Sequence, residues 1–217
     1  MTTLSRRVLE RLMRYLRYVD QTAAREPITR IPSTQIAAAL EIDATQVRKD
    51  FAAIGLVGSG RVGFDVWEVR YAIRAVLGFD RRNEAVLIGA GHLGGALLAY
   101  TGFATYGLYI VAAFDNDAAR VGTPLGGCTV RAMKGLVPFI RTRMVPMAII
   151  TTPVAAAQEV ADQVIHAGIR AIWNFAGAEI AVPPGVVVRQ EHISLGLAEL
   201  GYHLGRQGPV LHGGRPS

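Results

Sequence analysis

Residues 84–95, EAVLIGAGHLGG, join an apolar run to a glycine-rich turn. The residues before the glycines predict a buried strand, and those after them predict a helix. Gly89, Gly91 and Gly94 have the spacing of the turn that binds a dinucleotide between a strand and a helix. The first glycine permits the tight turn, the second lets the backbone approach a pyrophosphate, and the third lets the helix pack closely.

A second predicted strand, residues 108–114, is followed by Asp115, which lies 21 residues after Gly94. In dinucleotide-binding folds an acidic residue at this position accepts hydrogen bonds from the adenosine ribose. Its charge would repel a 2′-phosphate, and the next residues, Asn116 and Asp117, supply no arginine to compensate. We therefore expect NAD(H) to be preferred over NADP(H). The alternatives are a glycine-rich turn that binds nothing and one that binds another nucleotide.

Two more strand ends are candidates for the nicotinamide pocket, because ligands of such sheets lie outside the carboxyl ends of the strands. They are Thr152-Pro153 and Asn174-Phe175; Pro153 is also suited simply to starting a helix. The candidate cofactor-binding residues are Gly89, Ala90, Gly91, His92, Leu93, Gly94, Gly95, Asp115, Thr152, Pro153, Asn174 and Phe175. We expect His92 to be a solvent-facing residue beside the pyrophosphate, the alternatives being a proton donor or redox sensor. Cys128, without a second cysteine or a neighbouring base, is expected to be a packing residue.

Strands and helices alternate through the second part of the chain, which predicts a parallel sheet of Rossmann-like topology. The predicted strands are residues 85–88, 108–114, 145–151, 171–173 and 186–189. The predicted helices are residues 93–102, 133–140, 154–167 and 193–204. A short polar stretch at residues 78–83 precedes them, and we place a domain boundary there.

The first 80 residues predict three helices, a hairpin and a fourth helix. Ser33 or Thr34 is expected to cap the second helix. The third, residues 45–54, carries Gln46, Arg48, Lys49 and Asp50 opposite its apolar face. The glycine-rich residues 58–64 predict a hairpin, and residues 66–77 predict the fourth helix. This layout is typical of a winged helix-turn-helix.

Charge supports a nucleic-acid partner for this first part. The net charge is +6, and residues 1–82 hold fourteen lysines and arginines against nine aspartates and glutamates. The alternative is an ordinary solvated basic face. A single cysteine excludes a disulfide framework and a multi-cysteine zinc site, and no apolar run is long enough for a membrane span. We expect a soluble, cytoplasmic protein without a metal.

An enzyme is disfavoured because a dehydrogenase needs a substrate site and an acid or base beside the cofactor. We find no serine, lysine and tyrosine at the spacing of short-chain dehydrogenases, and no oriented histidine–carboxylate pair. We therefore expect no catalytic residues. An NAD-dependent oxidoreductase with a basic N-terminal extension stays open as an alternative, and so does a DNA-binding sensor of an acyl-CoA-like ligand.

The order of several motifs resembles the Rex redox-sensing transcriptional repressors of bacteria, from about residue 12 to about residue 197. The motifs are residues 45–51 (TQVRKDF), the glycine-rich wing, residues 89–95, 113–115 (AFD), 152–158 (TPVAAAQ) and 168–175 (GIRAIWNF). The resemblance implies a homodimer that binds double-stranded operator DNA and is released by NADH, with NAD+ competing. It also implies a C-terminal helix swapped between subunits. The domains would be residues 1–80 (winged helix), 81–190 (Rossmann-like) and 191–217 (swapped helix and tail).

The resemblance also assigns residues to DNA binding and to switching. Gln46, Arg48 and Lys49 match the recognition helix, and Arg61 lies in the wing, where a basic residue usually comes earlier. Arg17 and Tyr100 match positions that, in some members, join an aspartate of the swapped helix in a state-dependent polar cluster. Ser194 stands at the aspartate position, so the switch is expected to differ or to be weakened.

Overall fold

The computed structural model describes residues 4–206, except for the side chains of Arg61 and Ile193. Among these, residues 4–82 and 105–107 form one compact unit, and residues 83–104 and 108–206 form another. The sequence prediction placed a boundary near residue 80. It did not foresee that residues 105–107 return to the first unit, where the rings of Phe79 and Tyr106 pack with centroids 5.0 Å apart.

The first unit is helical with one short pair of strands. Its elements are α1 (Arg6–Arg25), β1 (Arg30–Ile31), α2 (Ser33–Leu40), α3 (Ala44–Ala53), β2 (Phe64–Asp65) and α4 (Val66–Leu77). Leu12, Leu16 and Val19 recur at helical spacing on α1 and are buried against Phe51 of α3 and Ile73 of α4. This shared apolar core holds α3 in place while its opposite face stays available to solvent.

The helix starts of this unit differ partly from the prediction. Neither Ser33 nor Thr34 caps α2; Pro32 is the N-cap residue, and Ser33 is already helical. The extended backbone of Pro32, with φ near the value its ring imposes, suits this position. Asp43 caps α3 by accepting a hydrogen bond from the backbone N–H of Thr45.

The glycine-rich segment of residues 58–64 is not a simple hairpin. Ser59 and Gly63 form an isolated antiparallel bridge around a 3₁₀ turn at Gly60–Val62. The next strand, β2, pairs with β1 instead of with a strand inside the segment. A side chain at Gly63 would overlap the carbonyl oxygen of Ile31, so the glycine is what lets the segment close against β1.

The second unit is built on one twisted sheet. Its elements are β3 (Asn83–Ile88), α5 (His92–Ala99), β4 (Leu108–Asp115), β5 (Pro124–Leu125), β6 (Cys128–Ala132), α6 (Leu136–Arg143), β7 (Met147–Ile150), α7 (Ala157–Ala167), β8 (Ala171–Asn174), β9 (Val187–Gln190) and α8 (Ile193–Arg206). Within the described residues the strand order is β5-β6-β4-β3-β7-β8-β9, and every pair is parallel except β5 with β6. Apolar clusters cover both faces of the sheet, which explains the near-continuous apolar runs of its central strands.

The prediction missed β5 and β6. Both are short, and they are joined through Gly126 and Gly127, whose positive φ values make the turn. Cys128 begins β6, and its thiol lies 3.8 Å from the carbonyl oxygen of Ile110. Three predicted helices proved to be composite: 3₁₀ segments follow α5 at Thr101–Tyr106 and precede α6 and α7 at Met133–Gly135 and Val154–Ala156. None of the helices among residues 4–206 is long and apolar enough to cross a membrane.

Candidate dinucleotide and nucleic-acid sites

The glycine turn between β3 and α5 is shaped by contacts that exclude side chains. Gly89 has φ +102°, and a Cβ there would come within 2.8 Å of the carbonyl carbon of Thr151. A Cβ at Gly94 would overlap the carbonyl oxygen of Gly89. The hydroxyl of Thr151 donates to that same oxygen at 2.7 Å. The predicted roles of the first and third glycines, in the tight turn and the close packing, agree with this geometry.

The N-terminus of α5 faces the space that the turn leaves open. Gly91 is the N-cap residue and provides no side-chain cap, and His92 is exposed as the first helical residue. The first N–H groups of a helix lack intrahelical partners and attract anions. The turn therefore offers a place for a pyrophosphate group.

Asp115 ends β4 and holds the turn from the neighbouring strand. It is only 6% exposed. One carboxylate oxygen accepts a hydrogen bond from the backbone N–H of Ala90 at 2.7 Å, and the other accepts from the N–H of Asp117 at 2.9 Å. Asp115 thus has a structural role in addition to the ribose contact that the sequence predicted.

The structure places a positive charge, that of Arg120, beside Asp115, which the sequence argument did not foresee. We expected no arginine to compensate Asp115, but Nη1 of Arg120 lies 3.4 Å from Oδ2 of Asp115, and its Nε lies 3.3 Å from Oδ2 of Asp117. The loop after β4 folds back and brings this side chain to the strand end. The sequence argument looked only at the two residues directly after Asp115, and the fold-back was not predicted.

These elements surround a cavity of 660 Å³ at the carboxyl edge of the sheet. Of the predicted residues, Gly89, Gly91, Asp115, Thr152 and Pro153 line it. The sequence analysis did not select Asn116, Asp117, Arg120, Thr151, Glu159 or Gln163, which also line it. The hydroxyl of Thr152 is buried and has no hydrogen-bond partner among residues 4–206, so a ligand with a polar group would satisfy it. The volume, the glycine turn and this hydroxyl fit a dinucleotide.

Asn174 and Phe175, predicted for the nicotinamide pocket, make contacts within the second unit. The amide of Asn174 is fully buried and bonds the carbonyl oxygen of Ala178 and the side chain of Gln190. The ring of Phe175 packs on Trp173 with centroids 4.9 Å apart. Neither residue lines the 660 Å³ cavity, and the remaining members of the turn, Ala90, His92, Leu93, Gly94 and Gly95, shape it without lining it. Among the described residues no group of three or more histidine, cysteine, aspartate or glutamate side chains could hold a metal ion.

In the first unit, α3 presents a basic surface. Arg48 and Lys49 are exposed, and the guanidinium of Arg48 donates to the hydroxyls of Ser33 and Thr45 at 3.3 and 3.1 Å. Arg48 borders a cleft of 520 Å³ that lies between the start of α2 and the glycine-rich segment of residues 58–64. The side chain of Arg61 lies outside the described part. Arg30, which the sequence analysis did not select, bonds Ser59 of that segment at 3.2 Å.

Asp50 does not lie on the solvent face with Arg48 and Lys49, as the helix pattern suggested. It is 3% exposed, and the guanidinium of Arg11 on α1 donates hydrogen bonds to both of its carboxylate oxygens, at 2.6 and 2.7 Å. Tyr15 and Gln46 donate to the same carboxylate at 2.8 and 2.9 Å. Burial by itself would raise the pKa of Asp50, but the hydrogen bonds from Arg11, Tyr15 and Gln46 outweigh it and lower that pKa. Burial, with the Asp50 hydrogen bond, raises the pKa of Tyr15.

The three switch candidates are all exposed in their own units. Arg17 lies on α1. Tyr100 follows α5 and packs edge-on against Phe103 with centroids 4.8 Å apart. Ser194 is the second residue of α8. Within the described part of each unit, no hydrogen bond or ion pair holds these side chains in a polar cluster.

Comparisons with known proteins agree with both units. Residues 3–52 match the family model "Putative DNA-binding protein N-terminus", and residues 80–178 match the model "CoA binding domain". A winged helix-turn-helix unit joined to a dinucleotide-type unit defines a DNA-binding regulator that senses a nucleotide. The chain belongs to the Rex family of redox-sensing transcriptional repressors. It is 40% identical to Rex of Treponema denticola over 89% of this chain and 91% of that protein. It is 35% identical to Rex of Clostridium botulinum over 94% and 97%.

Solved structures give the same family. The crystal structure of RSP in complex with beta-NAD+ and operator DNA is similar with a TM-score of 0.89 at 30% identity, covering 95% of both chains. The crystal structure of RSP in complex with beta-NADH has a TM-score of 0.84 at 30% identity, covering 95% of this chain and 97% of that one.

Proposed function

We propose that the chain is a redox-sensing repressor that binds operator DNA as a homodimer and releases it when NADH binds, with NAD+ as the competing ligand. One observation carries the proposal: a glycine-turn cavity that fits a dinucleotide and an exposed basic α3 occur in the same chain. The nicotinamide ring differs between the two ligand forms by a hydride and a positive charge, and this difference is the redox signal.

Different residues of the cavity would bind different parts of the dinucleotide. The N–H groups at the start of α5 would bind the pyrophosphate, since the first N–H groups of a helix lack intrahelical partners and Gly91 supplies no side-chain cap. Asp115 would accept from the ribose hydroxyls while it keeps the turn in place through Ala90. The buried hydroxyl of Thr152 would meet the ligand at the neighbouring strand end. The relatives at 40% and 35% identity are redox-sensing transcriptional repressors, which supports a sensor and not an enzyme.

DNA binding is assigned to α3 and the glycine-rich segment. Arg48 and Lys49 are exposed on a helix that follows a short turn after α2, as recognition helices do. The side-chain amide of Gln46 donates a hydrogen bond to Asp50 within α3. This internal hydrogen bond competes with any contact that the amide makes to DNA. Arg61 would contact DNA from the wing.

The homodimer is assigned to α8. Leu195, Leu197, Leu200, Tyr202 and Leu204 are each at least 60% exposed in the single chain. A helix that exposes this much apolar surface needs a partner. We propose that it is exchanged with the second subunit, which gives three domains: residues 1–80, 81–190 and 191–217. Residues 207–217 lie outside the described part of the chain.

Release of DNA follows from geometry. Paired winged domains must match successive major grooves on one face of the duplex. NADH can release DNA only to the extent that it binds better to a dimer with a different spacing. Because a repressor acts on operator DNA in the chromosome, we assign the protein to the cytoplasm.

A second ligand class has one observation in its favour, the match of residues 80–178 to a CoA binding domain. An acyl-CoA sensor would use the same glycine turn. Competition between NADH and coenzyme A for the protein separates the two, because the dinucleotide proposal requires NADH to bind in excess coenzyme A.

The proposal is tested by selecting duplexes that the protein retains from a random pool and measuring their affinity by fluorescence anisotropy. NADH is expected to weaken the complex, and added NAD+ is expected to restore it. NADH oxidation with candidate substrates is expected to be absent. Affinity that is equal with and without saturating NADH would contradict the redox-sensing proposal, and steady NADH turnover would favour the oxidoreductase.

A further inference from the structure

The guanidinium of Arg120 lies between the two parts of the cavity that the proposed function uses. Its Nη1 is 3.4 Å from Asp115 at the proposed ribose site. The same nitrogen is the nearest atom to a Cβ built on Gly91, at 3.2 Å, and so it stands over the glycine that faces the pyrophosphate. A cation therefore stands where the anionic half of the ligand would bind.

The contacts of Arg120 are long for charged hydrogen bonds. Both carboxylate distances, 3.4 and 3.3 Å, exceed the 2.7–2.9 Å typical of such pairs. The side chain is 42% exposed, whereas that of Asp115 is 7% exposed. No acceptor for its Nη2 is present among residues 4–206, so the guanidinium has donors left for a ligand. An arginine that only braced the loop would be expected to pair more tightly.

The charges of Asp115 and Arg120 determine whether the ribose site tolerates a 2′-phosphate. A carboxylate alone at the ribose site would repel a 2′-phosphate, and this repulsion is the usual basis for rejecting NADP(H). Here a positive charge stands beside that carboxylate and can pair with the same phosphate.

We propose that Arg120 is a specificity-determining residue of the cavity, which lowers the discrimination between NADH and its 2′-phosphorylated form NADPH below what Asp115 alone would impose. This inference rests on the proposed binding of NAD(H). The selectivity of the site is then set by the balance of Asp115, Asp117 and Arg120, and not by the acidic residue at the strand end alone.

The test measures the NADH and NADPH affinities of the full-length protein by ligand fluorescence. In Arg120→Gln, the preference for NADH over NADPH should rise about tenfold, mostly through weaker NADPH binding. Arg120→Lys keeps the charge and should stay within about threefold of the wild-type preference. Asp117→Asn removes a negative charge nearby and should lower the preference.

Arg141→Gln is the matched control, because it removes a positive charge from α6, where Arg141 bonds the carbonyl oxygen of His166 outside the cavity. It should leave the preference unchanged. An unchanged or lower preference in Arg120→Gln, or equal losses for both ligands, overturns the inference while leaving NADH sensing intact. If the wild-type protein binds no NADH, the proposed function fails and the inference fails with it.

Discussion

The carboxylate of Asp115 at the end of β4 accepts a hydrogen bond from the backbone N–H of Ala90, 2.7 Å away inside the glycine turn. The residue proposed to recognise the ribose therefore also fixes the loop proposed to hold the phosphates. Removing the side chain would affect both parts of the ligand site. The turn and the strand end are separated by 25 positions in sequence but act as one element of the site.

Asp115→Ala should weaken NADH binding by about 1.5–3 kcal/mol, because charged hydrogen bonds to the ribose are lost and the turn loses its anchor. NADPH should lose less, since Arg120 stays beside the ribose site without the repelling carboxylate. Titration of the fluorescence of each ligand measures both affinities.

Asp162→Ala serves as the control for Asp115→Ala. Asp162 is an exposed carboxylate on α7 that bonds Gln158, and it does not line the cavity. Its loss should leave NADH affinity unchanged. Wild-type NADH affinity in Asp115→Ala would remove Asp115 from the ligand site.

Asp50→Ala should lower the free energy of unfolding by about 3 kcal/mol, because it leaves the guanidinium of Arg11 without its buried partner. Operator affinity should fall as well, since α3 loses its tie to α1. Urea unfolding followed by circular dichroism measures the first effect, and anisotropy with operator DNA measures the second. Glu10→Ala breaks the exposed pair with Arg6 and should cost no more than about 0.5 kcal/mol. Equal, small losses in the two variants would show that the Asp50 cluster does not stabilise the unit.

The Asp50 cluster also predicts a pH dependence with a definite sign. The pKa of Asp50 is lower in the folded protein than its ordinary value. Its contribution to stability is therefore complete above the unfolded pKa of about 3.9 and is lost as the pH falls through the folded pKa. The stability difference between wild type and Asp50→Ala should be constant near neutral pH and should shrink below about pH 4. A difference that stays constant to the lowest pH at which the protein folds would contradict the assignment.

The sequence predicted those elements whose conformation is determined by residues close together in the chain. The glycine turn, the strands around it and the fourth helix, Val66–Leu77, were recognisable because periodicity, capping and positive-φ glycines act over a few residues. Asp50 and Arg120 were misjudged because their partners, Arg11 and Asp115, are set by the tertiary fold. A polar residue on a helix has no local mark that tells a buried ion pair from a solvated face.

The side-chain contacts of Asn174, at the carboxyl end of β8, were likewise not predictable from the local sequence. The strand end of Asn174 was predicted, but its amide turns inward to Ala178 and Gln190, which come from the loop after β8 and from β9. At the neighbouring strand end Thr152 lines the cavity, and its hydroxyl has no hydrogen-bond partner within the described residues. The contacts of a strand-end side chain depend on the following loop, and that loop has no periodic pattern from which they could be predicted.

The triple variant Arg48→Ala, Lys49→Ala, Arg61→Ala should lose operator binding. Singly, Lys49→Ala should weaken all duplexes alike and reduce the salt slope by about one if it contacts a phosphate. Arg48→Ala should cost about 1–3 kcal/mol at one base pair if it reads a guanine. Arg141→Ala, on the second unit, matches the charge change of each single variant and should retain operator affinity. Wild-type-like binding by the triple variant would remove these residues from the DNA interface.

Ser194→Asp should change the ratio of operator affinities measured with NADH and with NAD+. The resemblance implies that in some family members an aspartate of the swapped helix joins an arginine and a tyrosine. Here Arg17 and Tyr100 stand at the matching positions, while the neutral hydroxyl of Ser194 stands at the third. In the single chain Ser194 is exposed near the start of α8, so the substitution disturbs no packing within the subunit itself. A charge that pairs in only one dimer geometry stabilises that geometry and so changes the coupling.

The partner of the new charge is identified by a double-mutant cycle. If Asp at position 194 acts through Arg17, its effect on the ratio should largely vanish in an Arg17→Ala background, because the carboxylate then lacks a cation. Ala198→Asp adds the same single negative charge to the same helix at another exposed position and controls for the helix's net charge. An unchanged ratio in Ser194→Asp with Arg17 present would show that the position takes no part in switching, and coupling would then have to run through the apolar dimer packing of α8.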